Sequence, residues 1–442
     1  MPSERLWIRN GRVVDPASGL DEPGDVLIEG DRIAAVGRGI RPEGAIVLEA
    51  DGLVVAPGLV DIHVHLRDPG EAHKEDIASG TRAAAQGGVT SLVCMANTTP
   101  PADDPVVVDA IRWRAKATGV VRVYPAGAVT KGLAGKELSP IAGLAAAGVV
   151  ALSDDGRSVA DAGVLRRAML YSRMFDLPIL EHCEDPSLSA GGVMHEGEVS
   201  ARLGLRGIPR SAEEVVVARD LILAEETEAH VHIQHVSSLG SVRLIRAAKA
   251  RGVRVTAEVT PHHLTLTDES IEGFDPNFKM APPLRTAEDV EALLEGLRDG
   301  TIDCIATDHA PHAPAEKLVP FDLAPFGVIG LETLLGVVLT RLVWQLGWPL
   351  GKVLSWLTDR PARILGLPGG TLRVGAPADV VLIDLDRQWR VDPDRFASKS
   401  KNTPFAGWTL RGKAVATIVD GRVVWMEEDV HDRWLPAGVG AA

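Results

Sequence analysis

Six residues of the 442-residue chain have the types and spacing of a metal centre. In VDIHVHLRDPG, His63 and His65 are two apart, so on an extended strand both rings leave the same face. Asp155 closes the run ALSDDG, His182 sits in LEHCED, His235 in HIQHVSS and Asp308 in IATDHAPH. Four imidazoles and two carboxylates are too many ligands for one tetrahedral zinc. They suit two divalent ions bridged by a carboxylate and a water, whose pKa such ions lower from about 15.7 to about 7. Taken singly, each residue has a plainer reading. A lone strand-end His is more often a hydrogen-bonded structural residue, and SDDG is good turn and capping sequence. The metal reading rests on the whole set.

The elements that must position these residues are visible as a repeat. Apolar runs ending in polar residues occupy 58–63, 89–96, 120–126, 149–155, 177–182, 230–235, 253–260 and 302–308, with helical stretches such as SAEEVVVARDLILAEE between most of them. Eight strands with crossovers are the count of a (β/α)8 barrel, whose active sites lie at the C-terminal ends of the strands. A barrel brings strands one, four, five, six and eight around one mouth, whereas an open doubly wound sheet separates them. No GxGxxG or Walker sequence follows an early strand to favour the open sheet. The two ends of the chain have a different texture, rich in Val and Ile with Asn-Gly and Asp-Gly turns. The expected organisation is an α/β chain with a barrel over 56–367 and one small β domain built from 1–55 together with 368–442.

Composition narrows the function. A net charge of −14 and only 4% aromatic residues argue against nucleic acid and anionic membranes as partners. Three cysteines, Cys94, Cys183 and Cys304, form no disulfide framework, and the charged N-terminus does not read as a signal peptide. Both point to the cytoplasm. The apolar stretch 326–348 is broken by Glu332 and Arg341 and reads as a buried helix rather than a membrane span.

The motifs DIHVHLRDPG, CMANTTP, SDDG, EHCED, HVSS, TPHHL and ATDHAPH, in that order, resemble the metal-dependent amidohydrolase superfamily. More narrowly, they are similar to bacterial dihydroorotases that use an Asp in place of a carbamylated Lys. The likeness runs on through GTLRVGAPADVVLIDLD to SKSKNTPFAGWTLRGKAVATIVDGRVVW and covers nearly the whole chain. It implies a TIM-like barrel with a small β-sandwich domain from the two termini. It also implies two Zn2+ per chain, with His63 and His65 on the first, His182 and His235 on the second, and Asp155 and a hydroxide bridging them. Asp308 completes the first site and serves as general acid and base. Asp155 is preferred to Asp154 on the family spacing to His182, and VVALSDDG offers no lysine to carbamylate.

The implied reaction is the reversible opening of dihydroorotate to carbamoyl aspartate in pyrimidine synthesis. Arg67 carries the substrate reading, because a guanidinium grips a carboxylate bidentately and neutral hydantoins, dihydropyrimidines and allantoin have none to grip. The resemblance adds His65, Leu66, Asn97 and His312 as substrate contacts, with Phe326 and Gly327 meeting the pyrimidine ring. One position departs from the family: KMAPPLR has Ala281 where Asn is usual, so one polar contact is missing or comes from elsewhere. The competing expectations are a cyclic amidohydrolase for a neutral ring, and a partner subunit supporting aspartate transcarbamoylase. A homodimer is a family-based expectation, and 309–320 is a candidate mobile loop. Cys183 is expected to point away from the metal, His230 and His232 to be structural, and Lys399 and Lys401 to be solvated. His262 and His263 receive no role.

Overall fold

The structure is a computed structural model and describes residues 5–435. Eight parallel strands lie side by side in chain order: Leu59–Val64, Val89–Cys94, Arg122–Gly127, Ala151–Leu152, Ile179–Glu181, Val231–Ile233, Val255–Val259 and Cys304–Ile305. They lie within the eight apolar runs or overrun them by one residue, at Val64 and Gly127, and the TIM-barrel expectation holds. Because both faces of a parallel barrel are covered, its strands are apolar almost throughout. Leu59, Leu92, Ile179 and Val231 face outward under the helices. Val60, Val93, Met95, Ala151, Leu180, Cys304 and Ala306 fill the interior. Small and branched side chains suffice there, which accounts for the scarcity of aromatics.

The crossover helices begin and end on local signals. Asp76 caps the helix Ile77–Gln86 by accepting the Ser79 amide, and Asp161 does the same for Ala162–Ser172 through Val164. Gly148 and Gly300, both in the left-handed region, end Ile141–Ala147 and Ala287–Asp299. The apolar stretch 326–348 is buried over 327–339 but exposed at 344–347, and it is not one regular helix. Leu334–Val338 is α-helical and Leu339–Gln345 widens into a π-turn. No helix of the described residues is long and apolar enough to cross a membrane.

The barrel closes in an irregular way. Strands one and eight touch through backbone only near the mouth, where the His65 amide donates to the His309 carbonyl at 2.8 Å. Deeper in the seam the Asp61 carboxylate substitutes for a ladder, accepting from the Thr307 amide at 3.2 Å and its hydroxyl at 2.6 Å. At the opposite end residues 356–357 wedge between the two strands: the Ile305 amide donates to the Trp356 carbonyl and the Val60 amide to the Leu357 carbonyl.

Both termini share one nine-stranded mixed sheet. Val54–Pro57 joins them, pairing parallel with Arg5–Asp15 and antiparallel with Val380–Arg390, so that Val55 meets Leu382. This strand straddles the expected boundary at residue 55. Ile28 and Ile418, from strands far apart in the sheet order, share one core, so the layers arise from a single curled sheet.

Candidate active site

The first strand places its histidines through a local irregularity. Ile62 belongs to the inward cluster and Val64 to the outward one, so the alternation breaks between them. The pairing with strand two shifts register between Asp61 and Val64, and such a bulge re-aims side chains. His63 and His65 thereby both point inward, and Val64 between them points outward. Strand six uses a different device. His232 and Gln234 already point inward, so strict alternation would send His235 outward; its φ of 31° turns the ring back to the mouth. Nine described non-glycine residues have positive φ, and three of them are Arg67, His235 and Asp308. Backbone strain of this kind is held in place by surrounding structure and concentrates at functional sites.

The six expected ligand residues converge. Asp155 Oδ1 lies 3.3 Å from His63 Nε2, 3.6 Å from His182 Nδ1 and 3.8 Å from His235 Nε2, while Oδ2 lies 3.2 Å from His65 Nε2. Asp308 Oδ1 is 3.0 Å from His65 Nε2 and 3.4 Å from His63 Nε2. Two overlapping sets, His63–His65–Asp308 and His63–Asp155–His235, each bring one ligand atom per residue within 4.8 Å of the others. Asp155 Oδ1 is buried among these ring nitrogens without a hydrogen bond to any donor. Nitrogens gathered round an oxygen that they do not hydrogen-bond are arranged as ligands about a cation, and the donor set fits divalent ions.

Charge points the same way. Burial by itself would raise the pKa of Asp155, but the charge on His63 and the close approach of the His182 and His235 rings hold it well below the carboxylate range. Asp308 is also lowered, with His63 and His65 overcoming its burial. Asp155, Asp308 and Glu258 therefore remain as three buried carboxylates around one imidazole, and Arg67 and Lys279 are the cations that line the cavity beside Asp155 and Asp308. Buried charge of this density calls for compensating cations.

Above the cluster opens a cavity of about 680 Å3. His65, Arg67, Asn97, Asp155, His182, His235, Asp308, His312, Phe326 and Gly327 all line it, as does Ala281, whereas His63 lies beneath its floor. Leu66 is set apart: a Cβ on Gly80 would collide with its side chain, so that side chain packs under the first crossover helix. Only its backbone could reach a substrate. Arg67 Nε donates to the Pro311 carbonyl at 3.3 Å, and burial lowers its pKa against the pull of nearby acids. Asn97 Oδ1 accepts from His65 Nδ1 at 2.9 Å, which leaves the amide nitrogen of Asn97 free to donate. His312 donates Nε2–H to the Phe326 carbonyl at 2.7 Å, while its Nδ1 makes no hydrogen bond and lies 3.6 Å from Glu316 Oε2. Burial, Arg67 and Lys317 push its pKa down to about 4.

Several further residues support the site without a motif to announce them. Glu258 accepts from His63 Nδ1 at 2.5 Å and His232 Nε2 at 3.1 Å. A lone acid in the seventh strand was the one sequence sign. Gln234 Nε2 lies 3.2 and 3.3 Å from the two ring nitrogens of His63. Lys317 donates to the carbonyls of Pro276, Lys279 and Pro325, tying down the loop over 309–320. Cys183 is buried and directed at Asp220, away from the cluster. His263 is held by Thr260 and the Pro282 carbonyl. Lys399 and Lys401 are bonded rather than free, to Ala72 and Asp76 and to the carbonyls of Phe396 and Ser398 respectively.

Residues 52–241 match the family model described as dihydro-orotase-like, and residues 216–425 match that of the amidohydrolase family. The chain is 56% identical over 428 residues to a dihydroorotase of Pelotomaculum thermopropionicum, covering 97% of this chain and all of the relative. It is 53% identical over 425 residues to a dihydroorotase of Syntrophotalea carbinolica, covering 96% of this chain and all of that relative. Among solved structures, L-hydantoinase (dihydropyrimidinase) from Arthrobacter aurescens is similar with a TM-score of 0.86 and 28% identity, over 96% of each chain.

Proposed function

The chain belongs to the dihydroorotase family of amidohydrolases, and from that premise we propose that it interconverts (S)-dihydroorotate and N-carbamoyl-L-aspartate. It is a cyclic amide hydrolase, acting on one C–N bond of a small ring. The observation that carries the substrate is Arg67, a half-buried guanidinium on the wall of the same cavity as the two-carboxylate, four-imidazole cluster. A partly desolvated cation there serves an anionic ring and would be a liability toward a neutral one.

We assign two zinc ions to the cluster. His63, His65 and Asp308 would hold one, His182 and His235 the other, with Asp155 reaching both. Bound there, the ions would acidify a water and polarise the amide carbonyl. The chain's own residues do the rest. Arg67 and the free amide of Asn97 grip the ring carboxylate and fix the scissile bond over the cluster. His312 Nδ1 makes no hydrogen bond and can meet the substrate, and Phe326 and Gly327 border the ring. The Asp308 carboxylate takes the proton of the attacking water and returns it to the ring nitrogen as that nitrogen leaves. Ring closure runs through the same groups in reverse order.

A substrate panel tests the reading: dihydroorotate and carbamoyl aspartate against hydantoin, dihydrouracil and allantoin, on protein whose metal content has been counted. Turnover of the first pair is expected. Two bound ions with turnover confined to the neutral rings would transfer the chain to that alternative, which Ala281 favours and Arg67 opposes.

A further inference from the structure

Glu258 contacts both halves of the cluster. Its Oε1 accepts from His63 Nδ1 at 2.5 Å and from the backbone amide of His235 at 3.2 Å. Its Oε2 accepts from His232 Nε2 at 3.1 Å. The chain of bonds continues inward: His232 Nδ1 lies 2.8 Å from Thr256 Oγ1, and Thr256 Oγ1 lies 2.9 Å from His230 Nε2. His230 stands on the wall of a second cavity, about 650 Å3, at the far end of the barrel.

Only one set of proton positions satisfies every member with neutral rings. A carboxylate accepts and never donates, so His232 must carry its proton on Nε2. Its Nδ1 is then bare and must accept from the Thr256 hydroxyl, whose oxygen accepts in turn from His230 Nε2–H. By the same logic a neutral His63, the form that can ligate a metal, carries its proton on Nδ1, and Nε2 is left with a lone pair. That is the nitrogen facing Asp155 and Asp308. The second partner of Glu258 matters for another reason. His235 has a φ of 31°, and its amide is held in that turn by the same oxygen that holds His63.

We infer that Glu258 is the positioning residue shared by the two halves of the cluster. It fixes the tautomer of His63 so that Nε2 is the ligating atom, and it holds the backbone turn that aims His235 at the other half. His232, anchored through Thr256, keeps Glu258 in place. The inference rests on the metal assignment proposed above.

The test measures metal affinity directly, by competition with a chromophoric chelator, in wild type, Glu258→Gln and His232→Gln. Glutamine keeps the shape but not the charge, and loss of such an outer partner costs about 10- to 100-fold in metal affinity. Glu258→Gln is expected to lose that much, and His232→Gln to lose less, with metal-free melting temperatures near that of wild type. Unchanged affinity in Glu258→Gln overturns the inference. His232, Glu258 and Cys304 also lie within metal-binding reach of one another. A third equivalent of metal, lost on Glu258→Gln, would make Glu258 a ligand and overturn the positioning role as well.

Ring nitrogen spectra of 15N-histidine-labelled wild type give a second readout that needs no variant of Glu258. A proton on Nδ1 of His63, identified by its loss in His63→Asn, is expected with and without zinc. A proton on Nε2 instead overturns the inference. A wild type that takes up no metal would sink the metal assignment, while the ring spectrum of the metal-free protein would still decide the role of Glu258.

Discussion

Asp154 and Asp155 are neighbours in the chain and send their carboxylates to opposite sides of the strand end. Asp154 accepts from the amides of Val129 and Thr130 at 2.8 and 3.0 Å and from the Thr130 hydroxyl, bracing the loop after strand three. Asp155 faces the histidines. Two carboxylates of one sequence motif therefore do unrelated work, and substitution separates them.

Asp155→Ala is expected to empty at least one metal position and to abolish turnover. Asp154→Ala is expected to keep both ions while lowering stability by about 1–3 kcal/mol, the cost of leaving buried donors unpaired. Metal content per chain together with thermal unfolding distinguishes the two. Equal metal loss in both variants would mean that the division of labour is wrong.

Arg67→Met removes a charge-assisted pair worth about 1.5–3 kcal/mol. With dihydroorotate, kcat/KM is expected to fall about 10- to 100-fold, mostly through KM, while any residual turnover of a neutral hydantoin stays level or rises. Steady-state kinetics on both substrates decides the matter. A parallel fall on both would show that Arg67 supports the cavity rather than the carboxylate.

Ala281 lines the substrate cavity without a polar atom on its side chain. Ala281→Asn restores the residue usual in the family and adds one neutral hydrogen bond of about 0.5–1.5 kcal/mol. A two- to ten-fold lower KM for dihydroorotate is the expected outcome. An unchanged or raised KM would place that contact elsewhere in this chain.

Glu332 gives the clearest pH dependence away from the cluster. Burial pushes its pKa from 4.5 up to about 8, against two amide donors, Ala397 and Ser398. The folded state thus holds this proton more tightly than the unfolded chain does. Its contribution to stability is fully present below about pH 4.5 and is lost as pH rises toward 8. Glu332→Gln removes the penalty, so the variant is expected to melt higher than wild type at pH 8 to 9 and to converge with it near pH 5. Parallel melting curves across that range would exclude the effect.

The eight strands were legible because a covered parallel strand must be apolar along its whole length, and because its polar end marks the mouth. The metal-competent residues were legible for the same reason, since they stand where those runs stop. What alternation could not reveal was direction. The register shift beneath His63, the left-handed turn at His235 and the outward turn of Leu66 depend on how neighbouring strands and helices meet, which no local pattern encodes. Glu258 was visible as a lone acid in its strand, but its partners come from strands one and six. The burial of Lys317 had no sign at all: its three carbonyl partners belong to loops brought together only by the closed barrel.

The strand Val54–Pro57 gains its antiparallel neighbour only when Val380–Arg390 has been made. During synthesis the amino-terminal sheet leaves the ribosome with one edge bare and waits for nearly the entire barrel to follow. The wedge at residues 356–357 imposes a similar delay on closure of strands one and eight. Contacts so distant in sequence form slowly, and an unpaired edge invites a foreign strand. A nascent or carboxyl-terminally truncated chain is therefore the form of this protein most exposed to aggregation and most in need of a chaperone.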